Sequence, residues 1–186
     1  MTDQVVAWLV LAVLVFWSVG AYNRLVRLRS QAITAFGVLD RHLGHYLVLV
    51  DEHLKDASGP APAVTLAPGA AITSTSALAG LHGASSQFDV CLRVARKQAL
   101  DAGAMAALQT AHTTLQMSWQ RVLQEYRACP DPQVPPGHPL WTENTRLAAQ
   151  AVAEFNRAVL AHNAAIRQFP ALLLARLFSF RPAGCL

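Results

Sequence analysis

Residues 5–22 read VVAWLVLAVLVFWSVGAY, and residues 23–54 run on as NRLVRLRSQAITAFGVLDRHLGHYLVLVDEHL. The first of these stretches is 18 residues without a charge. As a helix rising about 1.5 Å per residue it spans about 27 Å, close to the hydrocarbon thickness of a bilayer. Trp8, Trp17 and Tyr22 stand toward its two ends, where rings with one polar atom favour the headgroup region. The charge before it is Asp3 alone, whereas Arg24, Arg27 and Arg29 follow directly. A cleaved signal peptide carries its positive charge in front, so the flanks favour a retained anchor, with basic residues on the cytoplasmic side. The expectation is a short periplasmic N-terminus over residues 1–4, a transmembrane helix over 5–22 and a cytoplasmic domain over 23–186.

The second stretch keeps a helical rhythm. Leu25, Leu28, Ala32, Ala35, Leu39, Leu43, Tyr46, Val50 and Leu54 recur at steps of three and four, one face of a helix that continues out of the membrane. Ser58-Gly59-Pro60-Ala61-Pro62 breaks it. The composition up to Ser76 predicts a flexible loop over residues 58–76. Helical pattern returns through Phe88, Cys91 or Leu92, Ala95 and Ala99, with a kink expected at Asp101-Ala102-Gly103. A heptad run follows in Met105, Leu108, His112, Leu115, Trp119, Val122 and Tyr126. The prolines between Cys129 and Pro139 predict a second flexible loop over residues 129–139. Thr142 then reads as an N-cap, and Ala148, Ala151, Phe155, Ala158, His162, Ile166 and Phe169 form a last stripe ending at Pro170. A short apolar helix over residues 171–178 closes the pattern. Narrow apolar stripes satisfy one another only by packing together, so the expected class is all-α, an anchor helix continuing into an antiparallel bundle of three to four helices. A coiled-coil dimer built from the same stripes is the structural alternative.

Composition limits the chemistry. The 186 residues carry a net charge of +4 with no basic run, which argues against a nucleic-acid partner. Three cysteines without a CxxC spacing suggest neither a disulfide framework nor a zinc site. His42 and His45, with Asp51 or Glu52 nearby, share part of a helix surface, but no HExxH or ExxH pair accompanies them, so no metal is expected. The serines lie in the proline-rich stretch, and neither a GxSxG turn nor a phosphate-binding glycine loop is present, so no catalytic residue and no cofactor are assigned. His112 and His162 fall on apolar stripes and read as core histidines that face each other across a helix interface. Cys91 reads as core filler, Cys185 as the exposed thiol. Asn156 and Asn163 lie seven apart, one step off the last stripe. Either they fix helix register by hydrogen bonds inside the bundle, the favoured reading, or they form a partner-facing strip.

Two stretches resemble the LemA family. Tyr22-Asn23-Arg24-Leu25-Val26-Arg27-Leu28-Arg29, followed by Ala35-Phe36, Leu39-Asp40 and Leu43, is similar to the family's YNxLVxxR motif and the positions after it. Glu143-Asn144, Phe155-Asn156, Val159, His162-Asn163, Ile166, Phe169-Pro170, Ala175 and Phe180 resemble its EN…YN..V..YN..I..FP signature, with Phe155 and His162 where tyrosines are usual. Arg93–Ala99 is similar to its second helix. Residues 44–54 depart from the pattern, lacking the arginine pair, proline and asparagine of the family's RRxDLIPNLV turn, which marks a divergent member. The resemblance implies a helical bundle behind an N-terminal anchor at the bacterial inner membrane, without enzymatic activity. The implied role is an interaction or scaffold module whose partners are membrane lipid and another membrane or envelope protein, with a homo-oligomer compatible. The alternative it implies is an accessory regulator or adaptor of a membrane protease.

Overall fold

The computed structural model describes residues 2–57, 68–128, 139–168, 172 and 181–186, and all of its regular structure among these is helical. The helices are α1 (Thr2–Ala57), α2 (Pro68–Lys97), α3 (Ala102–Ala128) and α4 (Pro139–Arg167). No strand occurs among the described residues.

α1 is one uninterrupted helix of 56 residues, about 84 Å long at the usual rise. Its character changes along its length. Val5, Trp8, Leu9, Val13 and Phe16 are each more than half exposed, and the most apolar 18-residue window has a mean hydropathy of 2.2 with none of it buried. From Leu25 onward one face goes under cover: Leu25, Ala32, Phe36, Leu39, Leu43, Tyr46, Leu49 and Val50 are all buried. One helix of the chain is therefore long and apolar enough to cross a membrane.

Side-chain pairs fix how the rest lies on α1. Arg24 meets Gln168, Phe36 meets Phe155 and Tyr46 meets Thr145, so α4 runs antiparallel to α1. Arg96, near the end of α2, reaches Asp40, and Phe88 lies against His112 of α3. His53 packs edge-on against Trp119 and Tyr126. One core gathers residues from all four helices, including Leu39, Leu81, Phe88, Leu108, Trp119 and Phe155. A second, smaller cluster of Leu25, Ala165 and Ile166 joins the lower part of α1 to the end of α4. The stripes read from the sequence thus face one another within a single chain.

Three boundaries differ from expectation. The segment expected as a loop to Ser76 is helical from Pro68. A proline at the first helical position gives up a donor that has no partner there anyway, and the Ala-rich run behind it propagates the helix. Residues 58–67 of the expected loop lie outside the described residues. In place of a kink at Asp101-Ala102-Gly103 there is the tight turn of a helical hairpin over residues 98–101, and Ala102 and Gly103 already belong to α3. α2 stops at Lys97, and the Asp101 carboxylate accepts from the Ala104 amide at 2.8 Å, an N-cap that starts α3 afresh. Among the described residues there are accordingly four long helices where three were expected. Finally, α4 begins at Pro139, ahead of Thr142, which lies inside it. Residues 129–138 of the second expected loop lie outside the described residues, and so does the expected helix over 171–178 apart from Leu172.

Phe155 is fully buried and edge-on to Phe36 at 5.7 Å between ring centroids, where α1 and α4 meet. Truncating Phe155→Ala leaves a ring-sized void that packed helices cannot close, so thermal or urea unfolding of the detergent-solubilised chain should show a loss of about 3–5 kcal/mol.

Candidate functional site

α4 carries Asn156 and Asn163 two turns apart on one side, about 10.5 Å along the axis. An asparagine amide offers one acceptor oxygen and one donor group, the complement of a peptide's own N–H and C=O. An extended chain rises about 3.1–3.4 Å per residue, so three residues cover about 9–10 Å. Two amides seven apart on a helix therefore match residues j and j+3 of an extended segment beside it.

That match is made by the segment Arg181–Leu186. The Asn163 amide donates to the Ala183 carbonyl at 2.9 Å and accepts from the Ala183 N–H at 2.8 Å. The Asn156 amide donates to the Leu186 carbonyl at 2.7 Å and accepts from the Leu186 N–H at 2.9 Å. The strap runs antiparallel to α4. His162 is hydrogen-bonded to the backbone of Arg181 one step earlier, so three α4 side chains hold the main chain at residues 181, 183 and 186. On its other side the strap presses on the α2–α3 hairpin. The Gly184 amide donates to the Leu100 carbonyl at 3.3 Å. A Cβ at Gly184 would stand 2.6 Å from the Ala102 Cα and 3.2 Å from the Met105 Cβ, so this contact admits no side chain. Ala183 is buried in the main core, Leu186 packs on its margin, and Arg181, Pro182 and Cys185 face outward.

The other motif residues divide between packing and surface. Leu39, Phe155 and Ile166 are core side chains, and Leu25 packs with Ile166. Asn144 is buried and donates to the His42 carbonyl at 3.1 Å, tying α4 to α1 near the far end of the core. Asp40 bonds Arg96 at 2.7 Å, and Glu143 pairs with Arg146 one turn along α4. Arg29 lies close enough to His162 for its charge to be felt there. Tyr22 and Asn23 are exposed on α1. Phe169 and Pro170 lie outside the described residues.

Residues 44–54, where the resemblance fails, supply the aromatic end of the core. Tyr46 is fully buried, 4.8 Å from the Trp141 ring and 5.1 Å from the His112 ring. Its hydroxyl donates to Thr145 Oγ1 at 3.1 Å, and Thr145 donates in turn to the Trp141 carbonyl at 2.8 Å. Burial raises the Tyr46 pKa above the ordinary phenol value, so the hydroxyl stays protonated and donating. Trp119 and Trp141 stack at 4.2 Å and 11° where α3 and α4 face each other. Beside this stack the two helices leave an open cleft whose lining mixes hydroxyls and amides, among them Thr113, Gln116, Gln120 and Thr142, with apolar Met117 and Trp141 and the side chains of Arg121 and Arg146.

His112 and His162 do not face each other. His112 sits among Tyr46 and Phe88, with Gln116 Nε2 at 3.3 Å from its Nε2, while His162 lies by the strap. No group of three or more His, Cys, Asp and Glu gathers among the described residues. Cys91 is half-buried and Cys185 exposed. Comparison with protein-family models, curated proteins and solved structures yields no match to this chain.

The strap was not anticipated. Its trace in the sequence is the run Pro182-Ala183-Gly184, small and non-helical, together with two asparagines at a spacing that suits an extended backbone. The asparagines are thus hydrogen-bonded within the chain, but to a backbone segment and not to a neighbouring helix. Replacing Asn163 or Asn156 with alanine strands a peptide group against apolar surface. Each change should cost about 1–3 kcal/mol in unfolding and speed hydrogen exchange at the Ala183 and Leu186 amides. Unchanged melting with slow exchange would show that the clamp does not hold the strap.

Burial lowers the pKa of His112, and burial together with the Arg29 charge lowers that of His162 against the opposing effect of the hydrogen bond that its ring donates to the Arg181 backbone. The fold thus disfavours the charged form of both imidazoles relative to the unfolded chain, which takes up their protons below about pH 6.5. Stability is therefore full above that pH and is lost as the pH falls below it. The melting temperature should drop between pH 7.5 and pH 5, and by less in a His112→Gln, His162→Gln variant.

Proposed function

We propose that the chain is a membrane-anchored interaction or scaffold module of the LemA kind, its four helices forming one antiparallel bundle domain on the cytoplasmic face of a bacterial inner membrane. The observation that carries this reading is the exposed apolar first third of α1, joined without a break to a helix whose later residues build the core. An apolar belt about 27 Å long with Trp8 and Phe16 outward is unfavourable in water and favourable in hydrocarbon. Arg24, Arg27 and Arg29, all exposed just beyond it, support the cytoplasmic placement of the domain. The open cleft between α3 and α4 joins hydroxyls and amides to apolar side chains and two arginines, a mixture that suits recognition of another chain.

Two experiments test this. An alkaline phosphatase fused after Leu186 should be inactive and a fluorescent protein at the same site bright; an active phosphatase would place the bundle on the outer face. Tagged full-length protein, purified in mild detergent from cells at native abundance, should carry a membrane or envelope protein in fixed proportion. Purification of the chain free of any such protein would defeat the scaffold reading.

A further inference from the structure

We infer that the groove between α4 and the start of α3 is a receptor for an extended peptide segment of another protein, and that Arg181–Leu186 is a built-in occupant which such a segment displaces. The inference deepens the scaffold reading and rests on it, by naming the form in which a partner is recognised.

Three observations converge. First, the groove reads main chain. Asn156 and Asn163 each take both hydrogen-bonding atoms of one residue, and His162 takes the backbone of a third, so the polar recognition is indifferent to the side chains of the occupant. Second, what the groove demands of side chains is modest. A small residue is needed where Ala183 is buried, glycine where the chain meets Ala102, and an apolar residue at the position of Leu186. Arg181, Pro182 and Cys185 are exposed and unconstrained. Any segment of the pattern small–Gly–x–apolar fits. Third, the helix face that holds the strap does not stop there. Continuing the seven-residue spacing of Asn163 and Asn156 back along α4 leads to Ala149 and Thr142, both in the wall of the open cleft between α3 and α4. A segment of another protein lying on this face has hydrogen-bonding partners on both stretches. Thr113, Gln116 and Gln120 stand on the opposite wall.

The test uses the full-length chain in detergent micelles and a fluorescein-labelled synthetic peptide with the sequence of Arg181–Leu186, serine replacing the cysteine. In the wild-type chain the tethered strap competes at a local concentration of about millimolar, so labelled peptide should bind weakly. Gly184→Val drives a side chain into the Ala102 backbone and expels the strap while leaving every groove residue in place. Fluorescence anisotropy should then show peptide binding at least tenfold tighter than to wild type. Binding should be lost on adding Asn156→Ala and Asn163→Ala, and absent for a peptide bearing the same Gly184→Val change. A Gly184→Val chain that keeps its circular dichroism but binds no peptide overturns the proposal. So does a Gly184→Val chain that cannot fold, since the strap would then be an indispensable part of the core. If the Gly184→Val chain instead forms a one-to-one complex with a wild-type-strap chain carrying Asn156→Ala and Asn163→Ala, seen by light scattering, the occupant is a second copy and the commitment to another protein falls. Failure of the pull-down would defeat the scaffold reading with these titrations intact, and failure of the titrations beside a stable copurifying protein would defeat the groove alone.

Discussion

The unbroken α1 helix is the member on which everything else hangs. A single helical register has to present apolar side chains all round over residues 5–22 and then along one face from Leu25 to Leu54. The change is made without a glycine or proline break, by substituting arginines, Asn23, Ser30 and Gln31 on the faces that stay exposed. α4 lies along the one-sided part, α2 caps its far half, and α3 reaches α1 through the rings around Tyr46 and His53. Most of a helix's stability in a protein comes from tertiary packing of its apolar face rather than from intrinsic propensity. Each helix here is held by the apolar face of its neighbours.

What the sequence made legible follows from that dependence on faces. Every α1 stripe residue from Leu25 to Leu54 is buried or half-buried, and Met105, Leu108, Leu115, Trp119 and Val122 form the buried face of α3 as their spacing implied. Periodicity reports a face wherever apolar surface is bought out of water, and these helices do little else. Boundaries were less legible. The α2–α3 turn hides because Ala95, Ala99 and Met105 keep an apolar beat through it, while the stop is made by one carboxylate, Asp101, bonding one amide. The start of α2 hides behind Pro68-Gly69 and a run of threonine and serine that weigh toward loop in any composition count.

The candidate site was legible by half. That Asn156 and Asn163 belong together follows from spacing, but their partner does not, since a peptide backbone carries no side-chain signature and lies 20 and 30 residues away in sequence. Phe155 and His162, each beside one of these asparagines, take different parts: one fills the core against Phe36, the other bonds the strap. In the same way, residues 44–54 looked like a loss of motif and prove to be a gain of packing. Tyr46 and His53 bring rings onto Trp141, Trp119 and Tyr126, and the hydroxyl that burial would penalise is passed to Thr145.

The absence of a joint in α1 also makes it a lever. From Asn23 to Ala57 the helix extends about 51 Å, so a tilt of about 10° at its root sweeps the far end through about 9 Å. With no hinge to absorb such a swing, a change of inclination in the first 22 residues is delivered undiminished to the aromatic end of the core. For a helix seated in a bilayer, inclination follows the thickness of the lipid around it. Membrane thickness would then set how far the aromatic end of the core stands from the surface, and which neighbours fall within its arc.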